Sequence, residues 1–248
     1  MRVLLLGGTG EARALAAVLV GAGVDVESSL AGRVSRPALP VGPVRTGGFG
    51  GVEGLTAHLA DGGFGAVVDA THPFAAGISD NAAAACRATG VPLVRLQRPG
   101  WVERPGADAY TWVDTVEAAR DAAETTGTRP FVTTGRQQLD AYARWDDRYV
   151  LARVVDPPEW AVPAPWEVLL TRGPFTLEAE TRLLTSRRVD VLLTKDSGGP
   201  LTEAKLDAAD ALGVPVVVVR RPPVPDGVEV VDDVEAAARW VSGASSPS

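Results

Sequence analysis

The chain has 248 residues, 46% of them hydrophobic and 22% charged, with a formal net charge of −7 at pH 7. A chain of this size can bury a full core without covalent staples, and a single cysteine, Cys86, excludes a disulfide framework and a cysteine-rich metal site. Only His58 and His72 could serve a histidine zinc centre, and the acidic balance argues against nucleic acid or an anionic membrane surface as partner, so no metal, nucleic acid or membrane is expected.

Short aliphatic runs alternate with alanine-rich stretches. The pattern predicts a strand at 3–6, a helix at 11–20 and a strand at 24–30. A helix at 52–60, a strand at 66–69, a helix at 75–88, a strand at 92–96 and a helix at 116–123 follow. The rhythm restarts with a strand at 131–133 and a helix at 137–143. Strands are then expected at 150–155, 168–170, 189–193, 216–219 and 228–231, before a last helix at 234–241. The small polar residues 243–248 read as a disordered tail. This is the βαβ alternation of open parallel sheets. The longest unbroken aliphatic run, 216–219, cannot cross a bilayer, and the apolar run at 3–6 is too short for a signal peptide, so a cytoplasmic protein is expected.

The halves resemble each other. Gly90-Val91-Pro92 and Gly213-Val214-Pro215 each precede a strand that ends in Arg-Pro, at 98–99 and 221–222. Residues 113–119 (VDTVEAA) likewise match 231–237 (VDDVEAA). An ungapped slide lays Thr71-His72-Pro73 on Thr194-Lys195-Asp196. The reading is an α/β protein of two Rossmann-like open parallel-sheet lobes, an internal duplication, divided into 1–125 and 126–248 with a cleft between them. The alternative is one long sheet with repetitive helix composition. Ligands of such sheets bind beyond the carboxyl ends of the strands.

Strand-end loops therefore carry the candidate chemistry. Gly7-Gly8-Thr9-Gly10-Glu11-Ala12-Arg13 follows the first strand, where glycines admit a pyrophosphate to a helix N-terminus. Its pattern is G-x-G-x-x-R from Gly8, so the third glycine of the dinucleotide fingerprint is missing. The second strand ends at Ser28-Ser29 with Arg33 and Arg36 beyond, and hydroxyls with guanidinium groups suit a ribose phosphate, which favours NADPH over NADH. A glycine-rich loop, Thr46-Gly47-Gly48-Phe49-Gly50-Gly51, reads either as a bed for a flat ligand or as a surface turn. Thr71 and His72 close the strand at 66–69. Thr134-Gly135-Arg136 repeats the strand–glycine device, and Arg172 lies in another strand-end loop. Thr194-Lys195-Asp196-Ser197-Gly198-Gly199 is the densest polar cluster and holds one of only two lysines. It reads as a surface ion pair or as a source of protons and charge stabilisation.

Taken in order, GGTGEAR (7–13), AGR (31–33), GGFGG (47–51), DATHPFA (69–75) and RPGW (98–101) resemble the precorrin-6A reductase family of cobalamin biosynthesis. TTGRQ (133–137), RGPF (172–175), TKDSGG (194–199) and VVVVRRP (216–222) extend the likeness over nearly the whole chain. Gly10 departs from it, standing where that family's loop carries a second threonine. The resemblance implies NADPH-dependent reduction of one C=C bond in a tetrapyrrole macrocycle, precorrin-6A to precorrin-6B, with transient contacts to neighbouring pathway enzymes. The alternatives are the cobalt-containing substrate of the anaerobic branch, a dehydrogenase of a small metabolite, and a non-catalytic NADPH-sensing module. On this reading the cofactor is held by Gly8, Thr9, Gly10, Glu11, Ser29, Arg33, Arg36, Thr71, Ser197 and Gly198. Substrate carboxylates meet Arg95, Arg98, Gly135, Arg136 and Arg172. Asp196 delivers the proton, Lys195 stabilises developing charge, and His72 faces the same cleft.

Overall fold

The structure, a computed structural model, describes residues 1–32 and 38–244. The chain forms two compact units, Met1–Pro99 with the segment from Pro222 onward, and Gly100–Arg221. The first unit runs β1 (Arg2–Leu6), α1 (Gly10–Gly21), β2 (Asp25–Leu30), β3 (Val44–Thr46), α2 (Gly51–Gly62), β4 (Phe64–Asp69), α3 (Ala76–Thr89) and β5 (Leu93–Leu96). The second holds β6 (Thr111–Val113), α4 (Val116–Thr126), β7 (Pro130–Val132), a 3-10 segment Arg136–Tyr142, β8 (Val150–Val154), β9 (Trp166–Leu170), α5 (Leu177–Ser186), β10 (Val191–Lys195), α6 (Ala204–Leu212) and β11 (Val216–Val219). β12 (Glu229–Val231) and α7 (Val234–Ala244) then return to the first.

Both sheets are wholly parallel, in the orders β12-β5-β4-β1-β2-β3 and β6-β11-β10-β7-β8-β9. Place by place the two orders correspond, as a duplication would give. Each sheet nevertheless takes its outermost strand, β12 or β6, from the other half of the sequence. The expected division at 125/126 is therefore displaced: β6 and α4 belong with the second sheet, β12 and α7 with the first. The ungapped slide also needs correction. Asp69 lies opposite Arg95 and Thr194 opposite Val218, which puts β4 and β10 two residues out of step with it. The counterpart of Lys195 is Ala70, not His72.

The inner strands are near-continuous aliphatic runs because helices cover both faces of each sheet. In the first unit Val3, Leu5, Val68 and Val94 meet Leu15 and Leu19 of α1 and Ala237 and Val241 of α7. Leu4, Leu6 and Val67 meet Leu55 and Leu59 of α2 and Ala82 and Cys86 of α3 on the opposite face. In the second, Phe131, Leu151, Leu192 and Val218 pack with Leu184, Leu206 and Ala209. The last helix reaches Ala244, and residues 245–248 of the expected tail lie outside the described residues.

Candidate active site

The glycine turn after β1 is built by close approach. A Cβ on Gly7 would lie 3.3 Å from that of Ala12, and the Gly7 N–H donates to the Ser29 carbonyl at 2.9 Å. Gly8 has φ +117°, a left-handed value suited to glycine. Thr9 is the N-cap of α1; its hydroxyl accepts from the Ala12 N–H at 3.1 Å and donates to the Ala70 carbonyl at 2.8 Å. That bond ties the first turn of α1 to the end of β4. The first backbone N–H groups of a helix have no intrahelical partner, so Gly10 and Glu11 start the helix as an anion site requires. Arg13 replaces the third glycine without closing the turn, because its guanidinium folds back onto the Thr9 carbonyl at 3.1 Å.

The ends of β4 and β5 carry a buried polar network. One oxygen of Asp69 accepts from the Thr71 N–H at 3.1 Å and from its hydroxyl at 2.6 Å, and the other pairs with Arg95. Arg95 also donates to Ser79 and to Gln97, the latter at 2.8 Å. Arg95 is 2% exposed and donates to Asp69, Ser79 and Gln97, so its burial leaves little surface for the substrate carboxylate expected there, and it orients Asp69 and through it Thr71. Arg98 is half-buried, and its guanidinium pairs with Glu11 at 2.8 Å. Thr9, Glu11, Thr71, Pro73, Leu96, Gln97 and Arg98 line one small crevice at this strand-end edge. The crevice thus unites expected cofactor residues with an arginine expected on the substrate. Gln97, which no motif marked, joins them. His72 is exposed beside it, its Nδ1 accepting from the Phe74 N–H at 3.2 Å. Ser29 is buried at the end of β2, and Arg33 and Arg36 lie outside the described residues.

In the second unit Asp196, the expected proton donor, is tied down on both carboxylate oxygens. Its Oδ1 accepts from the Trp101 N–H at 2.7 Å, and its Oδ2 lies 3.3 Å from Nε of Arg221, which also donates to the Asp196 carbonyl at 2.7 Å. At 6% exposed, this carboxylate is held as an acceptor within its own unit. It fastens the residues at which the chain enters and leaves the unit. The Gly100 of RPGW is explained by the same contact, since a Cβ there would fall 2.6 Å from Asp196 Oδ2. Lys195 ends β10 half-buried, and burial pushes its ammonium down to about 8. Ser197 and Gly198 follow in this unit, apart in sequence and sheet from the glycine turn. Gly135 precedes the 3-10 segment, where a regular helix was expected, with a break at Gln138. Arg136 pairs with the exposed Glu159 at 2.9 Å, and Arg172 is exposed with no hydrogen bond or ion pair among the described residues.

The parallel order, glycine turn and capped first helix define a Rossmann-type α/β protein, duplicated in topology. The model of the precorrin-6x reductase CbiJ/CobK family matches residues 2–242, and the chain belongs to this family. A precorrin-6A reductase of Rhodococcus erythropolis is 54% identical over 245 residues, covering 97% of each chain. A solved structure described as CobK precorrin-6A reductase superposes with a TM-score of 0.91 at 40% identity, covering 99% of this chain and 98% of that one. A cobalt-precorrin-6A reductase of Priestia megaterium is 31% identical over 239 residues, covering 91% and 92%.

Proposed function

We propose that the chain is a precorrin-6A reductase of cobalamin biosynthesis, adding hydride and proton across one C=C bond of the macrocycle with NADPH as reductant and precorrin-6B as product. The carrying observation is the family match over residues 2–242. The metal-free substrate is favoured over the cobalt-containing one because the relative of the first kind is 54% identical and that of the second 31%. A cytoplasmic location is part of the reading, since the reductant is drawn from that compartment.

The first unit fits a dinucleotide. Gly7 and Gly8 leave the turn bare of side chains, and the first turn of α1 offers its N–H groups to a pyrophosphate. Thr9 and the Asp69–Thr71 pair fix the walls of the crevice, and Arg98 offsets the charge of Glu11 beside it. No acidic side chain stands at residues 28–32, where a fold reading the ribose hydroxyls of NADH would carry one. Its nearest candidate, Glu27, is occupied by Arg2 at 2.8 Å and His58 at 2.7 Å. When bound, the cofactor supplies the hydride. Lys195 gives the proton to the adjoining carbon, because an ammonium titrating near 8 is still protonated at neutral pH yet releases its proton readily. Arg136 and Arg172 hold substrate carboxylates by charge-assisted hydrogen bonds. Asp196 keeps its loop in place, and Gly135, Ser197 and Gly198 give the neighbouring loops their shape.

An anaerobic absorbance assay with precorrin-6A tests this reading. Bleaching with NADPH faster than with NADH, and slower turnover of the cobalt form, is expected. No turnover of either tetrapyrrole would overturn it.

A further inference from the structure

Beside the glycine turn stands an arginine that no expectation included. Arg45 of β3 lies opposite Ser29 of β2, whose carbonyl holds the Gly7 N–H. Its Nη1 donates to the Ser29 hydroxyl at 3.2 Å and to the Gly47 carbonyl at 2.9 Å, and its Nη2 donates to the Gly48 carbonyl at 3.1 Å. The guanidinium lies 3.9 Å from the Phe49 ring centroid. These contacts fix its plane against the glycine-rich loop without cancelling its charge: among the described residues no carboxylate pairs with it. Three of its five N–H donors are used. It is half-buried, and Cβ atoms placed on Gly47, Gly48, Gly50 or Gly51 would meet nothing within 4 Å among the described residues, which leave that face of the loop open.

The geometry points to Arg45, with the Ser29 hydroxyl it holds, as the residue that recognises the 2′-phosphate on the adenosine ribose of the cofactor. This rests on the dinucleotide reading of the glycine turn and names a further residue for that site. Strand order places β2 and β3 next to β1, so their carboxyl ends flank the pyrophosphate turn on the adenosine side. A phosphate there would take the two remaining guanidinium donors, and a planar fork held in advance loses little freedom on binding. A hydroxyl in place of the phosphate gains little from a fixed cation, so Arg45 sets the preference between the two nicotinamide cofactors.

Calorimetric titration with 2′,5′-ADP and with 5′-ADP separates the possibilities without any tetrapyrrole. The intact protein is expected to bind 2′,5′-ADP at least about tenfold more tightly. Arg45→Met, which keeps an apolar stem over Phe49, should weaken 2′,5′-ADP by about 10- to 100-fold and 5′-ADP by no more than about twofold. Arg45→Lys, which keeps the charge and loses the fork, should fall between. If the intact protein does not distinguish the probes, the NADPH reading itself fails. If it does and Arg45→Met discriminates equally well, the assignment of Arg45 fails while that reading stands. Equal weakening of both probes by Arg45→Met and Arg45→Lys would mark Arg45 as a strap of its own loop and overturn the proposal.

Discussion

Lys195 and Asp196 are neighbours in sequence with opposite situations. The ammonium is pushed down to about 8 by burial, and the carboxylate is tied to Trp101 and Arg221. If Lys195 is the acid, its protonated form is the active one. The turnover rate of the intact protein should then be flat below about 8 and fall as pH rises through that value. Lys195→Met should lose about 10²–10⁴ in kcat together with that limb. Asp196→Asn, which keeps an oxygen for the Trp101 N–H, should retain most activity. Asp196→Ala should lower stability by about 1–3 kcal/mol, because a buried N–H loses its acceptor. Stopped-flow rates across pH and thermal melts check all three variants; abolished turnover in a stable Asp196→Asn protein would return the proton to the carboxylate.

At the scale of elements, the proposed cofactor site depends on α1, and Thr9 serves that helix twice, as its cap and as its bond to the end of β4. Thr9→Ala should lower stability by about 1–2 kcal/mol and raise the KM for NADPH, and Thr9→Ser should restore both. Chemical denaturation and initial-rate kinetics read the two effects. This element was legible in the sequence because its signals are local, an aliphatic run, a glycine turn and a threonine cap within a dozen residues. The alternation of aliphatic runs and alanine-rich stretches likewise exposed most strands and helices. β3 and β6 escaped notice because each is an outermost strand with no buried residue and no aliphatic run to mark it. α5 and α6 were also missed, although Gly213, in the left-handed conformation, closes α6 and was its readable stop. At the site, the burial of Arg95 and the tethering of Asp196 could not be read, since their partners lie 26 and 95 residues away. Glu27 was silenced in the same way by residues far along the chain.

For the whole molecule, the exchange of outermost strands outweighs the duplication that produced it. The repeat at 113–119 and 231–237 was visible, but each copy closes the opposite sheet. A chain cut at 125/126 would deprive the first sheet of β12 and of α7, whose Ala237 and Val241 are fully buried, and the second of β6 and most of α4. Expressed alone, neither piece should give a sharp melt or a near-ultraviolet dichroism signal. Expressed together they should form a one-to-one complex with native-like spectra. A lone half that is monomeric and melts cooperatively would contradict this account.

Synthesis on the ribosome meets the same exchange as a matter of timing. The inner strands of the first sheet are translated early, yet β5 keeps an unpaired edge until Glu229–Val231 emerges. Such an edge is a template for pairing with other nascent chains. Completion of the first sheet therefore waits on the emergence of β12, and until then the glycine turn sits on a scaffold that has yet to be closed.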